Sequence, residues 1–130
     1  MKTSFEGAHC IITLEWPVPK VVLVTFSGKD ANEFGDAPLQ KLGEKLEPGT
    51  ELYIDARKAT GASIDVSAEW AKWLSRNKQS FEHVSMLTGS RFIQMSADFV
   101  KRFANLELMR VYTDAVAFDH ALQMSIAARE

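Results

Sequence analysis

Cysteine is almost missing from this 130-residue sequence: Cys10 is the only one. A lone thiol forms no intramolecular disulfide and no thiolate metal cage, and it fits a reducing compartment. Charge of neither sign dominates, since 15 Lys and Arg stand against 17 Asp and Glu for a formal net charge of −2. No cation excess is left to neutralise a run of phosphates, which argues against generic nucleic-acid binding. Long hydrophobic runs are missing too, and residues 21–26 (VVLVTF) fall far short of the roughly 20 residues that a membrane-spanning helix needs. The first seven residues carry Glu6 close behind Lys2 and no apolar segment, unlike a secretory leader, so a cytoplasmic protein is expected.

Motifs for common chemistries are also lacking. His9, His83 and His120 are scattered without a His-Glu-x-x-His pattern or paired cysteines, so no metal site is expected. The pair Gly28-Lys29 follows a strand, but Leu23 stands where a phosphate-binding P-loop needs its first glycine. No Gly-x-Gly-x-x-Gly stretch marks a dinucleotide site. No cofactor and no catalytic set is therefore expected.

What remains is the pattern of a globular protein, with 46% hydrophobic and 25% charged residues and enough chain for one domain spanning residues 1–130. Residues 10–16 and 21–26 are apolar and β-branched, separated by Pro17-Val18-Pro19-Lys20, and read as a hairpin. Asp36-Ala37-Pro38 opens a helix with Leu39, Leu42 and Leu46 on one face, stopped by Pro48-Gly49. Residues 51–56 form a third strand, and residues 57–63 a polar loop. Asp65 or Ser67 caps a helix bearing Trp70, Trp73, Leu74 and Phe81. Strand 83–87 and Thr88-Gly89-Ser90 lead to a helix carrying Phe92, Met95, Phe99, Val100 and Phe103. Strand 106–112 and the cap Thr113-Asp114 lead to a last helix with Ala115, Phe118, Ala121, Leu122 and Ile126 inward. The expected fold is α/β, a mixed five-stranded sheet with about four helices in the order ββαβαβαβα.

That order, with a polar stretch after the third strand, resembles the STAS fold, named for sulfate transporters and anti-sigma-factor antagonists, over most of the chain. It is most similar to the stand-alone bacterial SpoIIAA-like subgroup, in which the third strand ends in an aspartate, as in Leu52-Tyr53-Ile54-Asp55 here. The Trp-rich second helix and Val111-Tyr112 suit the same subgroup. The resemblance implies a non-enzymatic regulatory module with a protein partner such as an anti-sigma-like factor. Regulatory members carry an Asp-Ser-Ser-Gly motif before the second helix, one serine of which is phosphorylated by a kinase that is also the anti-sigma factor. Here the stretch reads Ala62-Ser63-Ile64-Asp65-Val66-Ser67; the adjacent serines and the glycine are missing, and a gapless count puts Asp65 near the phosphoacceptor position. The subgroup is also compared with lipid-carrier folds, which implies a second reading: an apolar or anionic-headed small molecule held beneath the helices.

Two residue sets follow. Arg57, Lys58, Ser63, Asp65 and Ser67 form a candidate interaction or phosphoregulatory loop, where a phosphate of about −1.5 to −2 charges would act by repulsion beside Asp65. Arg57, Thr88, Ser90 and Arg91 form a candidate anion or ligand rim beyond the carboxyl ends of the strands, Ser90 and Arg91 at a helix start whose N–H groups favour an anion. Trp70 and Trp73, three residues apart, share a face that either packs on the sheet or anchors a partner. Asp55 is expected to bond loop amides, and Cys10 to be a buried small hydrophobe. Edge strands leave pairing of two copies open.

Overall fold

The computed structural model describes residues 1–130 apart from the side chain of Phe92, so that member of the apolar helix pattern lies outside the described residues. One sheet of six strands runs in sequence order: β1 (Lys2–Glu6), β2 (Cys10–Val18), β3 (Val21–Asp30), β4 (Thr50–Ala62), β5 (Phe81–Thr88) and β6 (Met109–Tyr112). The first three are antiparallel and β3 to β6 are parallel. The helices are α1 (Ala37–Glu44), α2 (Ile64–Asn77), α3 (Arg91–Phe103) and α4 (Ala115–Arg129). The expected five strands are therefore six. The addition, β1, is a largely exposed edge strand whose main apolar contribution is Phe5, packed against the core. Its alternation is too polar to read as a strand, and its partner β2 supplies the order.

The connections decide which face each helix covers. Parallel neighbours in sequence order need crossovers of one hand, and α1, α2 and α3 accordingly share one face. There Cys10, Ile12, Leu14, Val22, Val24, Leu52, Ile54 and Val84 meet Leu39, Leu42, Trp70 and Val100. Helix α4, after β6, lies on the other face, where Phe118 and Leu122 join Val21, Tyr53 and Leu87. The strand period of two sorts β4 cleanly: Leu52 and Ile54 face α1–α3, while Tyr53 faces α4.

Both tryptophans of α2 are in the core. Trp70 meets Phe26 edge-on at 5.5 Å between ring centroids, and Trp73 lies 5.7 Å from Phe81. Neither is a free anchor. α2 is capped by Ser63, whose Oγ accepts from the Val66 amide at 3.2 Å, rather than by Asp65 or Ser67. α4 starts as expected, with Asp114 accepting from the Val116 amide at 3.0 Å.

Candidate functional site

Strand β4 has no loop over residues 57–62. It pairs with β5 only as far as Ala56 opposite Thr88, yet it stays paired with β3 to Ala62 opposite Asp30. The expected polar loop is thus largely strand, and Arg57 and Lys58 are strand residues. Residues 57–62 hold alanine, glycine and polar side chains without a β-branched apolar run, so pairing with β3 imposes the conformation. Bulges near Thr25–Ser27 and Gly28–Lys29 carry this β3–β4 ribbon away from β5. Gly28 is essential to the second: its φ is +85°, and a Cβ there would lie 2.2 Å from the His9 carbonyl oxygen.

The fork between the β4 tail and β5 opens a wedge beneath α2 and α3. Its inner part is an apolar cavity of about 60 Å³ bounded by Phe26, Ile54, Ala59, Trp70, Ile93 and Val100. Gly61, Ala62, Ser67 and Ser96 line both this cavity and an outer cleft of about 590 Å³ that also touches Lys29, Ile64, Met95 and Phe99. The inner space is far below the roughly 300–1,000 Å³ of small-molecule sites, while the outer cleft is within that range. Gly89 holds the wedge in shape. A Cβ on it would stand 2.4 Å from the Arg57 carbonyl oxygen, so only glycine lets the β5–α3 turn press this close to β4.

An apolar stripe borders the cleft. Met95, Phe99 and Phe103 recur every four residues on the outer side of α3 and are 68%, 42% and 58% exposed, and Ile64 at the start of α2 is 81% exposed. The Phe99 and Phe103 rings stack at 5.5 Å and 24°. Their helix buries Ile93, Ala97, Val100 and Ala104 instead, so α3 has apolar residues on two sides. One sheet-facing stripe does not account for them all. That surplus was the sequence signal for the stripe, which sequence reading treated only as helix pattern.

The residues singled out from sequence are engaged in separate ways. Ser63 caps α2; Asp65 is exposed in its first turn, where a carboxylate suits the helix dipole; Ser67 is buried in the wedge wall. Lys58 is exposed on β4. Arg57 points to the α4 face, where Nε donates to Asp55 at 3.0 Å and a terminal nitrogen to Asp119 at 2.5 Å. These two carboxylates, Asp119 foremost, hold its guanidinium above its ordinary pKa. Thr88 is buried and donates to the Tyr112 carbonyl at 3.3 Å, and Ser90 caps α3 through the Ile93 amide at 3.3 Å. Arg91 is exposed in the first turn of α3. The contacts of the proposed anion rim run to these groups rather than to one another. Asp55 accepts from Arg57 alone, backbone and side chain. Cys10 is buried, and burial, with Asp30 and Glu33 nearby, pushes its thiol up to about 11, so it stays protonated at neutral pH. Among the described residues no group of three His, Cys, Asp or Glu side chains has metal-holding geometry.

Two solved structures are similar to this chain in fold. One, a protein of the DUF3478 family with a SpoIIAA-like fold from Shewanella loihica PV-4, is 17% identical with a TM-score of 0.58; the match covers 91% of this chain and 98% of that one. The other, an anti-sigma factor antagonist from Mycobacterium paratuberculosis, is 13% identical with a TM-score of 0.61, covering 95% of each chain. No protein-family model matches the chain. No curated protein matches it by sequence. At such identities the likeness establishes the fold, which is STAS-like and of the SpoIIAA-like kind.

Proposed function

We propose that this STAS-like chain is a non-enzymatic, regulatory protein-interaction module, and that its partner docks over the cleft between α2 and α3. One observation carries the reading: Ile64, Met95 and Phe99 leave large apolar side chains in water on the walls of one open cleft, with Phe103 stacked on Phe99, the kind of exposure that marks an interaction site. Aromatic and Met side chains at the edge of a pocket are typical contact residues. Ser63, Asp65 and Ser67 lie at the same α2 start, and Lys58 on the adjoining strand. Similarity in fold to an anti-sigma factor antagonist supports the regulatory part. The reading needs no phosphorylation, because the Ser63 hydroxyl serves as a cap and Ser67 is buried. The test is quantitative pull-down from cells with the chain carrying Phe99→Glu and Phe103→Glu. Both side chains are exposed, so stability should change by no more than about 0.5 kcal/mol each, while partner recovery falls at least tenfold. Undiminished recovery from a folded double variant rules the surface out.

The cleft also favours a second reading, a carrier for a small apolar ligand. Its volume suits a ligand whose narrow end enters the inner cavity. Gly61 lies in the wall of both spaces, and a Cβ there would meet only the Lys29 side chain at 3.6 Å, so Gly61→Leu should narrow the passage without backbone clash. Native mass spectrometry of the wild-type protein should then show a small-molecule adduct that this variant loses. Adduct-free wild-type protein counts against the carrier and leaves the interaction reading untouched.

A further inference from the structure

The opposite face of the sheet contains a cluster that the interaction site does not use. Glu51, at the start of β4, is buried yet ionisable. Its Oε1 accepts from Ser125 Oγ of α4 at 2.9 Å and pairs with His83 Nε2 of β5 at 2.7 Å; its Oε2 accepts from Arg129 Nε at 2.6 Å. Arg129 also donates to the Gly49 carbonyl at 3.2 Å. Ser125 gives its only hydroxyl proton to Glu51, so the Tyr53 hydroxyl supplies the proton it shares between Ser125 Oγ and the Ala121 carbonyl. Among the described residues, the side-chain hydrogen bonds that tie the last two turns of α4 to the sheet side run through Glu51 or its direct partners Ser125 and Arg129.

Apolar packing holds those turns through little more than Ile126. Within α4 only Phe118 and Leu122 are buried. Phe118 stands edge-on to Tyr53 and Tyr112, each at 5.7 Å, and the Arg57–Asp119 pair pins the same half. Past Leu122 the helix offers only a partly buried Ile126, and Met124 faces water. Apolar side chains also lie on its outer side, Val116 and Met124 among them, so the two sides of α4 differ less than those of α2, and its inward stripe of Ala115, Phe118, Ala121 and Leu122 thins to Ile126 beyond that point.

We propose that the carboxylate of Glu51 is a charge latch for the C-terminal half of α4, and that its loss frees residues 123–129 while the sheet, α1–α3 and the Phe118 anchor stay folded. The device is thus a hinged flap, with its pivot at Phe118–Leu122 and its catch at Glu51. Opening it uncovers Tyr53, His83 and Glu51 at the amino ends of the parallel strands, on the face turned away from the α2–α3 cleft. This inference is independent of the docking reading.

Acid should spring the latch. Burial raises the pKa of Glu51, but hydrogen bonds from Arg129, His83 and Ser125 outweigh it and hold the carboxyl below its ordinary value. A depressed carboxyl gives stability that is complete above the unfolded value and lost as pH falls through the folded one. The groups facing Glu51 are His83 from β5, Ser125 and Arg129 from α4, and Tyr53 from β4.

Amide hydrogen exchange of the full chain tests the proposal at neutral pH, read at Ser125 and Ile126, one turn in from the frayed end. Glu51→Gln and Arg129→Ala should each speed these amides by about tenfold or more, the scale of a lost charged hydrogen bond, with β3–β5 and α3 amides little changed. Ser125→Ala, which keeps both charges, should give a smaller acceleration. Arg129 is exposed, so its variant carries the test even if Glu51→Gln fails to fold. Unaltered exchange at Ser125 and Ile126 in Arg129→Ala overturns the latch, and so does acceleration spread evenly over the sheet.

Discussion

The two faces of the sheet are covered by opposite means. Three helices cover one face with a large apolar cluster, yet that side keeps a cavity, an open cleft and a stripe of aromatic and Met side chains in water. A single helix covers the other, supplying Phe118 and Leu122 to a cluster of five buried side chains, with a polar pin at each end, Arg57–Asp119 and Arg129–Glu51. Part of the apolar surface on the first face stays in water, which is why the docking surface is proposed there. On the second face almost every contact is needed for attachment. The difference teaches that exposed apolar residues are informative only against a count of what the fold itself consumes.

The sharpest way to break this contrast is to remove one large ring from each face. Phe118 is fully buried between Tyr53 and Tyr112, so Phe118→Ala should cost about 3–5 kcal/mol in urea unfolding, the usual price of a buried Phe. No comparable loss is expected at Phe99. If Phe118→Ala costs less than about 1 kcal/mol, α4 is not docked as described and the comparison fails.

A smaller effect is expected at Gly89, on the first face. A methyl group would overlap the Arg57 carbonyl, forcing the β5–α3 turn off β4. Gly89→Ala should therefore lose about 1–3 kcal/mol, the range for inserting a methyl group where there is no room. Exchange should quicken in α3 and not in α4. Equal quickening of both helices would mean that the two faces are not independent covers.

Much of this architecture could be read in advance, for reasons tied to particular residues. Helix α2 declares itself because Trp70, Trp73 and Leu74 leave no alternative to burial, and residues 21–26 and 51–56 are apolar enough to be strands in any surroundings. β1 was not legible, since Lys2, Thr3, Ser4 and Glu6 are polar and only antiparallel pairing with residues 11–15 makes them a strand. The β4 tail escaped for the same reason, and with it the fork that creates the cleft. The pairing of Arg57 with Asp119 is not legible either, because the strand parity that turns it that way depends on where the strand continues. Glu51 was invisible as a latch: His83, Ser125 and Arg129 lie 32, 74 and 78 residues away in sequence, and only the return of α4 across the sheet brings them together.

The finest test compares the one buried carboxylate on each side. Asp30, at the end of β3 beside the α2 cap, is buried; desolvation raises its pKa above its ordinary value, the Asn32 amide partly offsets this, and Glu33 adds to it. Its Oδ1 accepts from that amide at 3.0 Å, and among the described residues no cation forms an ion pair with it. The signs are opposite on the two faces. A raised carboxyl favours the fold below its unfolded pKa and loses that contribution as pH rises through the folded value, whereas Glu51 contributes above its unfolded pKa and fails in acid. Asp30→Asn keeps an acceptor for the Asn32 amide and removes the charge, so it should stabilise the protein at neutral pH by on the order of 0.5–1 kcal/mol. In acid, where Asp30 is already protonated, the gain should vanish. Urea midpoints of the wild type and this variant, measured from pH 3 to pH 7, check the prediction: a gain that is the same at every pH would show that Asp30 acts through packing and not through its charge.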